Sequence, residues 1–197
     1  MTLEKECETI ALSSEQLIED FDCGNDDLND FFNHDAIKYQ EQLMCQTYFF
    51  RHYETGKVVC AFSLSADSLK AAWLPGSRRK KVKELIPREK NLQSYPAFLI
   101  GRLGVAVEFG NQGIGSQLLE AVKQLCSSNY SNLARFLLVD AYNEPSVLHY
   151  YRKNGFDIVF TTDEQERDYY KRPDTTDPLR TRFLFYDMIK QKNNSVD

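Results

Sequence analysis

Apolar positions change their spacing several times along the chain, and each change predicts an element. Cys7–Leu12 reads as a short strand. Ser13 or Ser14 then stands where it can cap a helix over Glu15–Phe21. Asn25 or Asp26 can cap a second helix, in which Leu28, Phe31, Phe32, Ala36 and Tyr39 recur at helical spacing. Thr47–Tyr53 and Val58–Ala66 are rich in β-branched and aromatic residues and flank Glu54-Thr55-Gly56-Lys57, which predicts a hairpin.

Residues 68–94 break this rhythm. They are basic, contain Pro75, Gly76 and Pro87, and allow one short helix around Ser77–Ile86, so an insertion is expected between core elements. Ala97–Val107 is an apolar run broken by Arg102 and Gly104, as in a central strand covered on both faces. Gly104 within it implies a bulge or the close approach of another backbone. A turn over Glu108–Gln112 leads to a helix from Gly113 to about Cys126, with Leu118, Leu119, Val122 and Leu125 on one face. Phe136–Ala141 is a further buried strand; Pro145 suits a first helical turn, and Gly155 stops a helix over Val147–Lys153. Phe156–Thr161 and Arg182–Met188 supply two more strands. Hairpins alternating with β–α–β units predict a mixed, mostly antiparallel α/β sheet with helices on both faces, in a single domain over 1–197.

Composition narrows the class. Hydrophobic residues make up 42% and aromatics 13%, as in a globular protein. No apolar run reaches a membrane span and Met1–Ile10 lacks the plan of a signal peptide, so no membrane partner and a cytoplasmic location are expected. Cys7, Cys23, Cys45, Cys60 and Cys126 are scattered and odd in number, and only three histidines accompany them. Reduced, mostly buried thiols are expected, with no disulfide framework and no metal site. The net charge of −5 conceals an asymmetry: residues 1–50 hold 12 acidic and 2 basic side chains, residues 51–100 hold 4 acidic and 10 basic. Arg78, Arg79, Lys80, Lys81, Lys83, Arg88 and Lys90 carry most of that excess, a patch able to steer a polyanion or simply to be solvated.

The candidate chemistry lies in Arg102-Leu103-Gly104-Val105-Ala106-Val107-Glu108-Phe109-Gly110-Asn111-Gln112-Gly113-Ile114-Gly115-Ser116. A strand passes through a glycine-rich turn into a helix whose first turn offers unpaired N–H groups to an anion, and a pyrophosphate is the obvious ligand. A Walker A loop needs Lys where Ser116 stands, which argues against an ATPase. A dinucleotide fingerprint needs a further glycine where Leu118 stands.

The turn is followed by a strand and then by Tyr150-Tyr151-Arg152-Lys153-Asn154-Gly155-Phe156. This order resembles the GCN5-related N-acetyltransferase (GNAT) family, whose turn reads Arg/Gln-Gly-x-Gly-x-Gly/Ala and whose next helix ends in Tyr-x-x-x-Gly-Phe. Gly110 stands where that family has Gln or Arg, and Asn111 where it often has Gly, so backbone contacts to phosphate are retained and one side-chain contact is absent. The resemblance implies acetyl-CoA as acetyl donor and a sheet whose middle strands splay to admit it. Its pantetheine arm would lie along the backbone of Leu103, Gly104, Val105 and Val107, and its pyrophosphate on Gly110, Asn111, Gln112, Gly113, Ile114, Gly115 and Ser116. Asn143 resembles a cofactor-contacting Asn of the family, at a spacing one residue longer. Tyr151, with a phenol pKa of about 10, would protonate the departing coenzyme A thiolate. Tyr150 and His149 are expected to pack and to lie at the surface, and Glu108 is the nearest carboxylate. With no evident base, an α-amino group of pKa near 8, roughly a tenth neutral at pH 7, suits the site better than lysine.

A narrower likeness runs through Phe21-Asp22-Cys23-Gly24, Leu28-Asn29-Asp30-Phe31, Thr47-Tyr48-Phe49-Phe50, Ala61–Ala66 and Leu99–Val105. These segments are similar to the branch that includes bacterial toxin acetyltransferases, which acetylate aminoacyl-tRNA and are neutralised by a small antitoxin. That branch also contains stand-alone enzymes. The likeness implies tRNA contacts through Arg78, Arg79, Lys80, Lys81 and Lys83, an antitoxin partner, and admits a homodimer. A non-catalytic acyl-CoA-binding module is the alternative from another class.

Overall fold

The computed structural model describes residues 1–74, 76–84, 86, 92–130, 132–170 and 178–194, with the backbone alone for 81, 83, 169 and 192–194. In chain order its elements are α1 (Leu3–Glu6), β1 (Cys7–Ala11), α2 (Asp26–Asp30), a π-helical turn (Phe31–Asp35), α3 (Ala36–Glu41), β2 (Gln46–His52) and β3 (Val58–Lys70). A 3-10 turn (Ala71–Trp73), α4 (Gly76–Glu84), β4 (Ser94–Val105), a second 3-10 turn (Val107–Phe109) and α5 (Ile114–Ser128) follow. The chain continues through β5 (Phe136–Tyr142), α6 (Pro145–Lys153), β6 (Asp157–Ile158), α7 (Asp163–Tyr170), β7 (Thr181–Asp187) and α8 (Ile189–Asn194). The strands form a mixed α/β sheet in the order β1-β2-β3-β4-β5-β7-β6, and the pairings β1–β2, β2–β3, β5–β7 and β6–β7 are antiparallel. No helix among the described residues is long and apolar enough to cross a membrane.

Two compact units make up the chain, residues 1–66 with 99–125 and residues 67–98 with 126–197. In the first, the predicted hairpin forms with Phe49 opposite Ala61 and Phe50 opposite Cys60, and Gly56 turns it at φ +70°. Asn25 caps α2 as expected, its side chain accepting from the Leu28 N–H at 3.1 Å. Phe31, Phe32 and Ala36 then pack with Phe21, Ile18 and Phe49 into one apolar cluster. Tyr39, expected on the same face, is 45% exposed and only its ring edge meets Phe31.

The helix expected over Glu15–Phe21 does not form. Ser13 and Gln16 bond each other's backbone in a tight turn, and Asp20 takes φ +54°. The side-chain amide of Asn33 then bonds both the N–H and the carbonyl of Phe21, as a neighbouring strand would. Tertiary anchoring of Ile18 and Phe21 in the cluster outweighs a weak helical propensity.

The second unit is built on β5 and β7, whose seven paired positions run from Phe136 opposite Asp187 to Tyr142 opposite Thr181. Phe136 meets both Tyr95 and Phe185 edge-on, and Trp73 meets Phe183. The strand expected over Phe156–Thr161 is confined to β6, and the acidic connection after it forms α7, which the sequence pattern did not announce. Arg182 explains both departures. Its guanidinium bonds Glu166 at 2.7 Å, Asp163 at 2.6 Å and the Phe160 carbonyl at 2.9 Å, while Glu166 also accepts from the Phe183 N–H. One arginine thus draws the chain after β6 into a helix against β7.

Glu166 is 1% exposed, so removing its cation leaves a buried charge unpaired. Arg182→Met is expected to cost roughly 3–5 kcal/mol in urea denaturation, with much of the loss recovered in the double variant that adds Glu166→Leu.

Candidate functional site

The first unit carries the glycine-rich turn, and its backbone hydrogen bonds divide into two sets. Those leaving β4 point inward: the Ala106 N–H donates to the Val59 carbonyl at 2.8 Å, and the Val107 N–H to that of Asp22 at 2.9 Å. The 3-10 turn then closes on itself, with Phe109 N–H on the Ala106 carbonyl and Gly110 N–H on that of Val107 at 3.0 Å. Beyond the turn, the N–H groups of Ser116 and Gln117 both donate to Gly113. Between these sets the N–H groups of Asn111, Gln112, Gly113 and Ile114 meet no acceptor among the described residues. Asn111 and Gly113 lie at φ +59° and +76°, an alternation of handedness that turns successive N–H groups into one concavity.

That concavity opens α5, and no acidic side chain occupies the first turn of this helix. The helix dipole therefore lacks the anion that side chains normally supply there. Asn111, Gln112 and Gly113 are exposed, and a Cβ built on Gly113 would meet nothing within 4 Å. The donor set fits a diphosphate. Asn is the non-glycine residue that best tolerates the left-handed region, so its presence at 111 keeps the turn without the glycine the family often places there. Gly110 and Ser116, both expected to contribute amides, spend them inside the turn, and the Val107 N–H is likewise engaged.

Gly104 is buried for a reason other than a neighbouring backbone. A Cβ there would lie 3.2 Å from Cys23 and 3.3 Å from Phe21, so it is the Phe21–Gly24 segment that presses on β4. Leu103 and Val105 flank it, half-buried. Asp22 closes this corner: its carbonyl holds Val107, and its carboxylate accepts from Gly24 N–H and Asn29 Nδ2, bonds that hold it below the usual carboxylate range. The sequence showed Phe21–Gly24 only as part of a likeness. Beside it opens a cleft of about 650 Å³ lined by Leu17, Glu19, Asp20, Asp22, Lys57 and Val107 among others. Glu108 also lines the cleft, exposed as expected and paired with Lys57 at 2.7 Å.

The second unit carries Tyr151 and Asn143. α6 begins with Pro145 and ends where Gly155 takes φ +86°. The Tyr151 carbonyl accepts from the N–H of both Asn154 and Phe156 at 3.1 Å, while the Phe156 ring packs 5.5 Å from that of Tyr151. The Tyr-x-x-x-Gly-Phe spacing is thus one helix-stop motif with its accompanying apolar contact. Gly155 has a second duty, since a Cβ there would stand 3.1 Å from the Tyr186 ring. Tyr151 is 6% exposed, its hydroxyl has no hydrogen-bond partner among the described residues, and burial pushes its pKa well above the ordinary value. Tyr150 packs edge-on against it and His149 is exposed. Asn143 donates from its backbone to the Arg180 carbonyl and from Nδ2 to that of Leu179, both at 2.9 Å.

The basic segment is less uniform than its sequence. Arg78 is bonded to Asp157 at 2.6 Å, Lys80 stands 3.9 Å from Glu84, and Arg79 has no ionic partner among the described residues. The side chains of Lys81 and Lys83 lie outside the described residues, as do Arg88 and Lys90. The five thiols are free: Cys7, Cys60 and Cys126 are buried, Cys23 and Cys45 half-buried, and burial raises the pKa of each.

A family model described as Acetyltransferase (GNAT) domain matches residues 83–158, the stretch from the end of α4 to β6. Among solved structures, AtaT complexed with acetyl-methionyl-tRNAfMet is similar at a TM-score of 0.74 and 18% identity, over 96% of this chain and 99% of that one. A tyrosine-to-phenylalanine mutant of KacT is similar at 0.73 and 18%, over 96% and 99%. An AtaT mutant toxin bound to the C-terminus of the antitoxin AtaR and acetyl-CoA is similar at 0.68 and 15%, over 98% and 100%. The fold is theirs, and residues 83–158 match the model of an acetyltransferase domain.

Strain at position 111 gives a direct check. Asn111→Gly is expected to leave urea stability within about 0.5 kcal/mol, whereas Asn111→Val, β-branched in a left-handed position, loses roughly 1–3 kcal/mol.

Proposed function

We propose that this chain, which carries a GNAT acetyltransferase domain, moves an acetyl group from acetyl-CoA directly onto a primary amine, with Tyr151 as general acid. The observation that carries the reading is the run of amides over 111–114 at the head of α5 that meet no acceptor among the described residues, three of them on exposed residues, beside a turn whose other N–H groups are engaged. Asn111, Gln112, Gly113 and Ile114 would hold the pyrophosphate. Leu103, Gly104 and Val105 would lie along the pantetheine, with the exposed side chain of Val107 beside it. Asn143, with its backbone N–H and one Nδ2 hydrogen engaged, would offer the cofactor Oδ1 and the second Nδ2 hydrogen. The bound donor supplies the activated acetyl group, and the remaining chemistry belongs to the chain.

A phenol is neutral at physiological pH and burial raises the Tyr151 pKa further, so the side chain would serve as a proton donor and not as a base. Its proton would neutralise the departing thiolate as the C–S bond breaks, and the proton that the attacking nitrogen sheds as the amide forms would, through solvent, restore the phenol; the amine must arrive already neutral. An acceptor of low pKa, such as an α-amino group, meets that requirement without a carboxylate base.

A narrower acceptor is favoured by one further observation. α4 presents Arg79 and Lys80 without strong internal partners, a footing for a polyanion, and AtaT adopts the same fold with an acetylated methionyl-tRNA. The acceptor proposed is therefore the α-amine of an aminoacyl-tRNA. An antitoxin whose C-terminal segment docks on the fold, as AtaR does on AtaT, is the corresponding regulator.

Thiol release from acetyl-CoA, followed with small amines and charged tRNA, tests the reading. Tyr151→Phe should lower kcat by about 10²–10⁴ while thermal stabilisation by coenzyme A is unchanged; equal turnover removes the acid role. Because the acid form of Tyr151 persists above its ordinary pKa, kcat/KM should rise about tenfold per pH unit up to the amine pKa near 8, then stay level to about pH 10. A falling limb at neutral pH would rule out this assignment.

A further inference from the structure

We infer that Asp157 is a positioning residue that fixes the basic helix α4 as a preset footing for the polyanionic part of the acceptor; this rests on the acceptor reading above and goes beyond it. In sequence, Arg78 to Lys83 is one basic run. The structure splits it by role. Arg78 turns onto the sheet: its Nη2 donates to Asp157 Oδ2 at 2.6 Å, and its guanidinium lies 5.4 Å from the centre of the Phe185 ring. Asp157 and Phe185 are register partners across β6 and β7, so a single arginine grips two neighbouring positions of the sheet.

Among the described residues, α4 has few other anchors. Its sequence, Gly-Ser-Arg-Arg-Lys-Lys-Val-Lys-Glu, contains one large apolar residue, Val82, which is 1% exposed. One apolar anchor leaves a helix free to roll about its axis, and a second, directional contact on the sheet removes that freedom. Asp157 itself is held in place by a second cation: Lys190 of α8 stands 3.7 Å from the same oxygen, bonds the Gly155 carbonyl at 3.4 Å and covers the Tyr186 ring. Asp157 also follows directly on Phe156, whose N–H closes the turn at Tyr151. Arg79 and Lys80 are thereby carried on a helix fastened six residues from the proposed acid. Arg78, expected from the sequence as an RNA contact, is instead the fastening.

The side chains of this pair are 31% and 45% exposed, so the bond adds little to global stability and its loss should appear in binding. Charge alone makes the opposite prediction, because deleting a carboxylate beside a basic patch ought to tighten polyanion binding. Fluorescence anisotropy with labelled deacylated tRNA separates the two. Asp157→Asn is expected to weaken binding about three- to tenfold with an unchanged melting temperature, and Asp157→Glu to restore most of it. Arg78→Gln, which breaks the bond from the other side, should weaken binding to a similar degree. Turnover of a small amino-acid amide should be unaffected in all three, giving a rise in KM for charged tRNA without a fall in kcat. Equal or tighter tRNA binding by Asp157→Asn overturns the inference, as does a proportional loss with the small amine. If the wild-type protein fails to bind tRNA the inference is also overturned, yet turnover of small amines would leave acetyl transfer standing.

Discussion

Between the end of β4 and the first turn of α5 the backbone has more donors than the described residues satisfy, and the candidate site consists of that imbalance. A chain leaving a central strand must pair its N–H groups or face them to solvent. Here Ala106 and Val107 are drawn inward by Val59 and Asp22, and Gly110 is returned to Val107, which fixes the turn from both sides. Asn111, Gln112 and Gly113 then stay exposed, and their N–H groups, like that of the buried Ile114, meet no acceptor among the described residues. An anion arriving there meets donors already aimed, so little ordering has to be supplied at the moment of binding.

The Phe21–Gly24 segment shares in that constraint. Cys23 and Phe21 press on β4 at Gly104, Asp22 takes the Val107 N–H, and the Asp22 carboxylate is itself fixed by Gly24 and Asn29. A stretch without helix or strand is therefore as firmly placed as the elements around it. Its refusal to form the expected helix follows from the same anchoring, since a helix would withdraw Phe21 from Asn33 and from the cluster with Phe32 and Phe49.

In the second unit, burial and charge do separate work. Tyr151 is buried, with Tyr150 and Phe156 packed on its ring, and burial raises the pKa of its phenol. The ionic contacts lie elsewhere: Arg182 shapes α7 from within, Arg135 bonds Asp187 through two nitrogens, and Arg78 with Lys190 converges on Asp157. Three arginines that look alike in the sequence are thus each engaged with a carboxylate of the same unit.

What the sequence determined by itself was whatever depends on neighbours along the chain. The hairpin turned by Gly56, the Asn25 cap, the apolar runs of β4 and β5, the glycine-rich turn and the Tyr151–Phe156 stop are each local spacings with one stable geometry. Tertiary structure decided whatever depends on a partner far away in the chain. Which amides of the turn are engaged was settled by Asp22 and Val59, the position of α7 by Arg182, and the pairing of the Arg78 guanidinium by Asp157. A hydrogen-bond donor or a charge carries no mark of whether it will be spent at home. Only folding brings up the acceptor that uses it, and what remains unspent is what the protein has to offer a ligand.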